Sequence, residues 1–427
     1  MSVSSVEFIA LVLLLGAVFS YVPGRFARQL LLASTNAGIL CWASLAGRAP
    51  PVALTLAALA AFLLSGYMVA IWLQRTHSLA LMAGYLTLLV AAFVYLKKYT
   101  FLDALLPTQL LTHAVPIVGL SYMLFRQIHF LVDVAQGQIE RPSLWTYLNY
   151  QTNFTTLLAG PIQRYQDFTR DWNDLNPIER SRDDLLATYQ RIFIGVIKVT
   201  VFASMCTTVY QGSYDALLRV VSPEGGMAAS RLFCIRQFLL MLYAYPMFVY
   251  FDFSGYCDIV IGVAALLGIR LPENFDRPYV SRNMIDFWTR QHMTLSFWIR
   301  DYLFTPMYKA MVSTWPMMTH SAAYICYFVA FLIAGVWHGS TMNFVVFGLL
   351  HGAGVSSVKI WERIIIQHSG RQGLKKYLQT RWCRVVATVV TLNFVSFTFI
   401  FFTPDLTQKL TVLRGVVRAI ALGGTAV

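Results

Sequence analysis

The chain has 427 residues, a net charge of +13 and a mean hydropathy of +0.58, with 57% hydrophobic and only 12% charged residues. Soluble globular proteins carry roughly 25% charged residues, so this composition excludes a soluble protein and predicts an all-α, polytopic integral membrane protein. A bilayer span needs about 20 apolar residues, which leaves room for about 11 to 13 membrane segments in a single domain over residues 1–427. Most Lys and Arg residues stand in short connectors, as the positive-inside rule requires, and indicate no nucleic-acid partner.

The N-terminal part consists of apolar runs. Residues 1–22 lack a basic n-region, so they predict a first span and not a cleaved signal peptide. Arg25 and Arg28 follow it directly and favour a cytoplasmic loop. The later runs are broken at Pro50-Pro51, Gln74-Arg75 and Lys97-Lys98.

The middle of the chain alternates apolar and polar stretches. Apolar runs cover residues 105–124, 148–159, 185–209, 232–251 and 259–267. Asp252 and Asp258 between the last two runs are expensive at membrane depth. The densely charged stretch 167–191, broken by Pro177, predicts a solvated loop or a short surface helix.

A separate motif, AGPIQRYQDF (159–168), precedes the charged stretch. It places Arg164 either in a membrane-edge turn or at an anion-binding site.

An amphipathic helix is predicted from Met284 onwards. Spacing of three and four residues forms one apolar stripe: Met284, Trp288, Gln291, Leu295, Trp298 and Tyr302. The opposite face carries Asp286, Arg290, Arg300 and Asp301. Such a helix is a poor lipid-exposed span and is expected to lie at the interface or to re-enter the protein.

Two histidines are candidates for chemistry. His292 falls on the flank of the amphipathic stripe, beside Ser296, so its ring is expected to point into the protein, where it would be either functional or a hydrogen-bonded core histidine. His338 ends an apolar run and is followed by Gly339; an ionisable group in this position is a functional-site hypothesis, because its desolvation is costly. Desolvation favours the neutral imidazole, which accepts a proton.

The remaining histidines have weaker settings. His351 stands 13 positions after His338 (351 minus 338) and either lines the same cavity or, as is favoured, has a packing or supporting role. The others are interpreted as structural or surface residues: His77, His113, His129, His320 and His368.

Other catalytic arrangements are missing from the sequence. It contains no GxSxG, HExxH, Walker A or GxGxxG motif, and its six scattered cysteines form no CxxC pair, so neither a metal site nor a disulfide framework is predicted. A histidine base that activates the hydroxyl of an acceptor is then the economical mechanism.

Several long motifs resemble the membrane-bound O-acyltransferase family, in its bacterial branch of alginate O-acetyltransferases and D-alanyl transfer proteins of teichoic acid modification. They are AGPIQRY, FDFSGYCDIVIG, PENFDRPY, DFWTRQHMTLSFWIRDYLFTP and AGVWHG followed by FGLLHG, within a core of about residues 115–354. The resemblance implies spans around a central tunnel, with His338 deprotonating the acceptor and His292 orienting substrate or stabilising an oxyanion. It also implies the substrate-binding set Trp337, Asn274, Trp288, Arg290, Gln291, Ser296, Arg300, Asp301, Asn343 and Arg164.

Two departures from the family pattern accompany the resemblance. Gln291 stands where the family usually has Trp before this histidine, and Thr341-Met342-Asn343 follows the second motif where an aromatic residue is frequent. Both changes are expected to alter the tunnel and retune the acyl group or the acceptor. The Gln291 change also keeps open a catalytically silent scaffold subunit.

The resemblance further implies the substrates and partners. The donor would be a cytoplasmic thioester, acetyl-CoA or an acyl carrier protein, with no bound cofactor, and the location the bacterial inner membrane among its lipids. Acetyl transfer to an exported polysaccharide or a periplasmic relay protein is favoured, with a periplasmic acyltransferase or polysaccharide synthesis and export subunits as partners. D-alanyl transfer to a cell-envelope polymer is the first alternative, and a transporter or flippase is the alternative from another class.

Overall fold

The computed structural model describes residues 6–46, 52–100, 119–175, 181–221, 230–403 and 405–422. These residues form helices and connecting loops, with no strand apart from an isolated bridge between Phe275 and Gln291. They divide into two compact units: Met1–Val196 with Tyr256–Asn274, and Ile197–Gly255 with Phe275–Val427. The single domain predicted from the sequence stays a prediction. His113, Pro50, Pro51, Pro177 and most of the run 105–124 lie outside the described residues.

The first unit is built from short and long helices. They are α1 Val6–Tyr21, α2 Arg25–Ala46, α3 Val52–Thr76, α4 Leu79–Lys97, α5 Leu120–Ala135, α6 Leu144–Thr152, α7 Phe154–Leu157, α8 Tyr165–Asn173 and α9 Arg182–Ile197. Small polar residues begin several of them: the Ser78 side chain accepts a hydrogen bond from the Leu81 amide (3.2 Å) and that of Asn153 one from the Thr155 amide (3.3 Å).

The second unit begins with a π-helical segment, Lys198–Ala203, and continues in α10 Ser204–Val221 and α11 Arg231–Leu266, whose last residues belong to the first unit. The helices that follow are α12 Met284–Trp288, α13 Met293–Ile299, a π-helical segment Arg300–Phe304, α14 Thr305–Thr314, α15 Thr319–His338, α16 Met342–Gln379, α17 Arg381–Phe399 and α18 Leu406–Leu422. Helix α16 is interrupted by a kink at Gly370, whose φ is 66°. Short 3-10 turns cover Pro278–Val280, Pro316–Met318 and Ile400–Phe402.

Seven helices within the described ranges have the length and apolar composition to cross a membrane. They are Ala53–Thr76, Leu79–Lys97, Arg182–Val221, Arg231–Leu266, Ser321–His338, Met342–Gln379 and Arg381–Phe402. The polytopic, all-α architecture is thereby confirmed. The larger count of 11 to 13 segments, which included part of the chain outside these ranges, stays a prediction.

Polarity inside the helix Arg231–Leu266 has a structural explanation in the first unit. The Arg191 guanidinium donates to Asp258 (3.2 Å) and to Glu273 (2.6 Å), and both Arg191 and Asp258 are partly buried. A charge in apolar surroundings is costly unless it is paired, so Arg191 compensates the carboxylate of Asp258. The helix therefore continues through the polar stretch that separates the two apolar runs of the sequence.

Helices α15 and α16 approach each other closely through glycine. A Cβ atom placed on Gly335 would lie 2.5 Å from the Phe344 carbonyl oxygen, and one on Gly348 would lie 2.8 Å from that of Phe331. A Cβ atom placed on Gly352, one turn after Gly348, would lie 3.0 Å from the Phe328 carbonyl oxygen. Small residues at this spacing let two helix backbones come together, as in many membrane proteins. The contact holds the last turns of α15 against α16, and His338 is the last residue of α15.

Candidate active site

His338 is the last residue of α15, and its imidazole is half-buried among aromatic rings. Its ring centroid lies 4.8 Å from that of Trp337, 5.0 Å from that of Phe402 and 6.2 Å from that of Phe347. The partial negative charge at a helix C-terminus stabilises a cation there. His338 therefore combines partial access with a setting that supports the imidazolium formed when it accepts a proton.

His292 lies between α12 and α13 and is buried, with only 4% of its surface exposed, as the helical-wheel argument predicts. The single helix predicted from Met284 to Tyr302 is wrong, however, because the chain turns between Trp288 and Met293. His292 adopts the left-handed backbone conformation there, with φ of 48°. The edge of its ring meets Phe253 at 4.8 Å between centroids.

The electrostatics of His292 favour a neutral ring. Burial, and secondly the neighbouring His338, hold the pKa of His292 well below its ordinary value. This side chain therefore stays uncharged at neutral pH, and its remaining N–H is a hydrogen-bond donor.

His351 is fully buried and joined to the same region by a chain of hydrogen bonds. The Trp288 indole donates to His351 Nδ1 (3.1 Å), and Thr398 Oγ1 donates to the Val395 carbonyl (2.8 Å). The contact of 2.8 Å between His351 Nε2 and Thr398 Oγ1 is therefore donated by the histidine, which fixes its tautomer. Both ring nitrogens are thus occupied, and His351 holds the indole of Trp288 in place.

Four buried polar atoms near the two histidines have no hydrogen-bond partner in the described residues. They are Gln291 Oε1, Ser254 Oγ, Thr341 Oγ1 and Asn343 Nδ2. Gln291 precedes His292, Ser254 follows its ring neighbour Phe253, and the other two lie within five positions of His338. An unsatisfied buried polar atom costs about 1–3 kcal/mol, so these four atoms are available to hydrogen-bond a bound substrate.

The charged candidates on the same segment form local ion pairs. Arg290 pairs with Asp286 (2.8 Å) and Asp276 (3.0 Å), which ties the loop containing Phe275 to α12. Arg300 pairs with Asp301 (2.8 Å) on a largely exposed surface. The half-buried Ser296 closes the first turn after His292, since its amide donates to the His292 carbonyl (3.1 Å). These side chains stabilise the segment that carries His292.

Arg164 and Asn274 belong to the first unit. Arg164 is half-buried and precedes the first residue of α8, while the buried Asn274 donates to Cys257 Sγ (3.4 Å). The roles implied for both residues stay predictions.

The sequence interpretation of His129 did not identify its partners, and it missed several neighbours of the two candidate histidines. The buried His129, interpreted as structural or surface, accepts a hydrogen bond from the Tyr165 amide (2.8 Å) and pairs with Asp133 (3.2 Å), which anchors the end of the AGPIQRY motif to α5. In the second unit, Phe253, Phe402 and Thr398 come from distant parts of the chain. An i, i+4 His-Asp spacing was available as a signal for the first pair, but nothing local in the sequence signals the second group.

The described fold and site define a class: a polytopic helical membrane protein with two neighbouring histidines, one half-buried and one buried, surrounded by aromatic rings and unsatisfied polar atoms. Comparison with known proteins agrees with this class. Residues 53–387 match the model of the membrane-bound O-acyltransferase family. Because the match covers most of the chain, the protein belongs to this family and is an O-acyltransferase.

Three relatives illustrate the range of similarity. A teichoic acid D-alanyltransferase of Bacillus subtilis is 29% identical over 342 residues, which cover 80% of this chain and 81% of the relative. A probable alginate O-acetylase of Pseudomonas fluorescens is 30% identical over 57% of this chain and 45% of its own length. A peptidoglycan O-acetyltransferase of Helicobacter pylori is 28% identical over 71% of this chain and 57% of its own length.

Proposed function

We propose that the protein transfers an acetyl group from a cytoplasmic thioester to a hydroxyl group of an exported polysaccharide or a periplasmic relay protein, with His338 as the general base. The observation that carries the proposal is the half-buried His338 at the end of α15, close to the neutral, buried His292 and to several unsatisfied polar atoms. Such a site binds a polar, uncharged reacting group and withdraws it from bulk water.

The reaction proceeds by direct transfer. His338 takes the proton of the acceptor hydroxyl while its oxygen attacks the thioester carbonyl carbon, which produces a tetrahedral oxyanion. The N–H of the neutral His292 ring donates a hydrogen bond to that oxyanion. The carbon–sulfur bond then breaks, the proton passes from His338 to the leaving thiolate, and an ester and a free thiol result.

The charged residues that line a cavity next to Trp288 favour an uncharged acyl group over a D-alanyl group. A cavity of about 140 Å³ adjoins Trp288 and is lined by Ser296, Phe297 and Tyr327, among others. Arg300 also lines it, and no carboxylate does so within the described residues. The ammonium group of a D-alanyl ester would be desolvated there without an anionic partner, whereas an acetyl group carries no such cost.

D-alanyl transfer is the second candidate, because one observation favours it. The Bacillus subtilis D-alanyltransferase matches this chain over about four fifths of both proteins, whereas the alginate O-acetylase is matched over less than half of its own length. In this alternative the same histidines act on a D-alanyl thioester of a carrier protein.

A first prediction tests the base. His338→Ala lowers kcat/KM for acyl transfer about 10²- to 10⁴-fold, the usual contribution of a general base, while the protein remains folded. The measurement follows acyl transfer from a thioester donor by purified protein in proteoliposomes. His368→Ala is the matched control, since His368 is exposed on α16, and it retains full activity.

The outcomes separate the candidates. Full activity of His338→Ala would remove the assignment of the base. Mass analysis of exported glycans with and without the gene distinguishes acetyl from D-alanyl esters. Substrate flux across the proteoliposome membrane without any acylated product would instead indicate a transporter.

A further inference from the structure

A second cavity in the same unit combines an apolar wall with an arginine rim. It has a volume of about 530 Å³ and lies between α16, α17 and the chain that precedes α12. Its wall includes Met284, Leu350, Val358, Val390 and Phe394. The volume is in the range of sites that bind small molecules and cofactors.

The rim carries positive charge without an anionic partner. Arg282 and Arg384 line both this cavity and an adjoining one, which Arg381 also lines. None of the three forms an ion pair with a carboxylate in the described part of the chain, and Arg384 Nε is buried there with no hydrogen-bond partner. The acid in the wall, Glu362, is occupied by Lys359 at 2.9 Å.

Helix α17 carries both rim arginines and apolar wall residues, which follow one another along the helix axis. Arg381 and Arg384 lie in its first turn at i and i+3, so they share one face. With a rise of about 1.5 Å per residue, Val390 and Phe394 follow about 9 Å and 15 Å beyond Arg384. Because α17 is long and apolar enough to span the bilayer, the arginines stand at the membrane edge and the apolar wall extends towards its interior.

We propose that this cavity binds an anionic glycerophospholipid, with the phosphate at Arg384 and Arg282 and one acyl chain against Val390 and Phe394. The planar guanidinium donates two parallel hydrogen bonds to a phosphate, and a basic pocket at the end of membrane helices selects anionic headgroups. None of His292, His338 and His351 lines this cavity, although the Phe394 ring lies 6.4 Å from that of His351 between centroids. The proposal does not depend on the proposed acyl transfer.

The test uses the full-length protein in detergent and native mass spectrometry of bound phosphatidylglycerol or phosphatidylethanolamine with identical acyl chains. Phosphatidylglycerol is expected to be retained over phosphatidylethanolamine. Arg384→Gln is expected to weaken its binding roughly tenfold, as for the loss of one charge-assisted hydrogen bond. Arg371→Gln, an exposed residue of α16 that lines neither cavity, is the matched control and leaves binding unchanged.

A further variant tests the apolar wall and covers the case in which Arg384→Gln does not fold. Ala387→Trp fills the cavity while it preserves every charge, and it also weakens phosphatidylglycerol binding. The proposal is overturned if the two lipids bind equally, if Arg371→Gln acts like Arg384→Gln, or if Ala387→Trp binds as the unchanged protein does. Displacement of the lipid by coenzyme A thioester would assign the cavity to the acyl donor instead.

Discussion

Two histidines of the site, His338 and His351, differ in burial and in hydrogen bonding. His338 is half-buried and held by aromatic rings, so it keeps access to a substrate. His351 is fully buried and has both nitrogens occupied, which leaves it no proton to exchange without breaking a hydrogen bond. The same residue type thus supplies a candidate base at one position and a support for Trp288 at another.

The role of His351 gives a prediction at this scale. His351→Phe deletes both hydrogen bonds, leaves the Trp288 indole N–H unpaired, and is expected to lower the free energy of unfolding by about 1–3 kcal/mol and to slow acyl transfer. Trp288→Phe removes the donor of the same bond, so the two changes should be non-additive in a double-mutant cycle measured by thermal unfolding and by transfer rate. Additive losses would show that His351 does not act through Trp288.

Helices and their connections are the scale at which sequence patterns succeed and fail here. The stripe predicted from Met284 is correct in its burial, since Met284, Trp288, Gln291 and Leu295 are all buried. The continuous helix predicted from the same pattern is wrong at the turn before Met293, where His292 has a positive φ. Side-chain periodicity reports which residues face the interior, but a tertiary contact such as the bridge between Phe275 and Gln291 decides where the helix breaks.

The sequence predicted the site only in part, because some of its residues are brought together by tertiary contacts. His338 and His292 stand out because a histidine in an apolar context is costly, which is a local property of the sequence. Phe253, Phe402 and Thr398 complete the surroundings of the histidines through contacts between helices that are far apart in the chain. No local spacing encodes those contacts.

The close approach of α15 and α16 gives a prediction at the element scale. Gly348→Ala would place its Cβ against the Phe331 carbonyl and is expected to destabilise the protein by about 1–3 kcal/mol, as overpacking usually does, and to reduce activity by displacing the end of α15. Gly84→Ala in α4 is the control, because its Cβ would meet no atom within 4 Å from outside its own helix backbone in the described part of the chain. Alanine is the better helix former, so this control is expected to be neutral or slightly stabilising. Equal thermal midpoints for the two variants would contradict the packing argument.

Each of the two units buries a histidine in surroundings that disfavour its protonated form. In the first unit Asp133 lies 3.2 Å from the ring of the buried His129, and in the second unit the buried His292 ring packs against Phe253. Burial lowers the pKa of both histidines, although Asp133 opposes this effect at His129. The folded protein therefore resists protonation at two positions that take up protons freely in the unfolded chain.

This difference predicts how stability depends on pH. An unfolded histidine titrates near 6.5, so as the pH falls below about 6.5 the unfolded chain binds protons at His129 and His292 that the folded chain does not bind. The contribution of these two histidines to the free energy of unfolding is therefore constant above that pH. Below it the free energy of unfolding decreases, by up to about 1.4 kcal/mol per pH unit for each histidine. His292→Gln removes one of these two contributions and should flatten the pH dependence of thermal unfolding between about pH 6.5 and 5.5. If His292→Gln keeps the slope of the unchanged protein, folding does not lower the pKa of His292, and the argument that burial keeps this ring neutral fails.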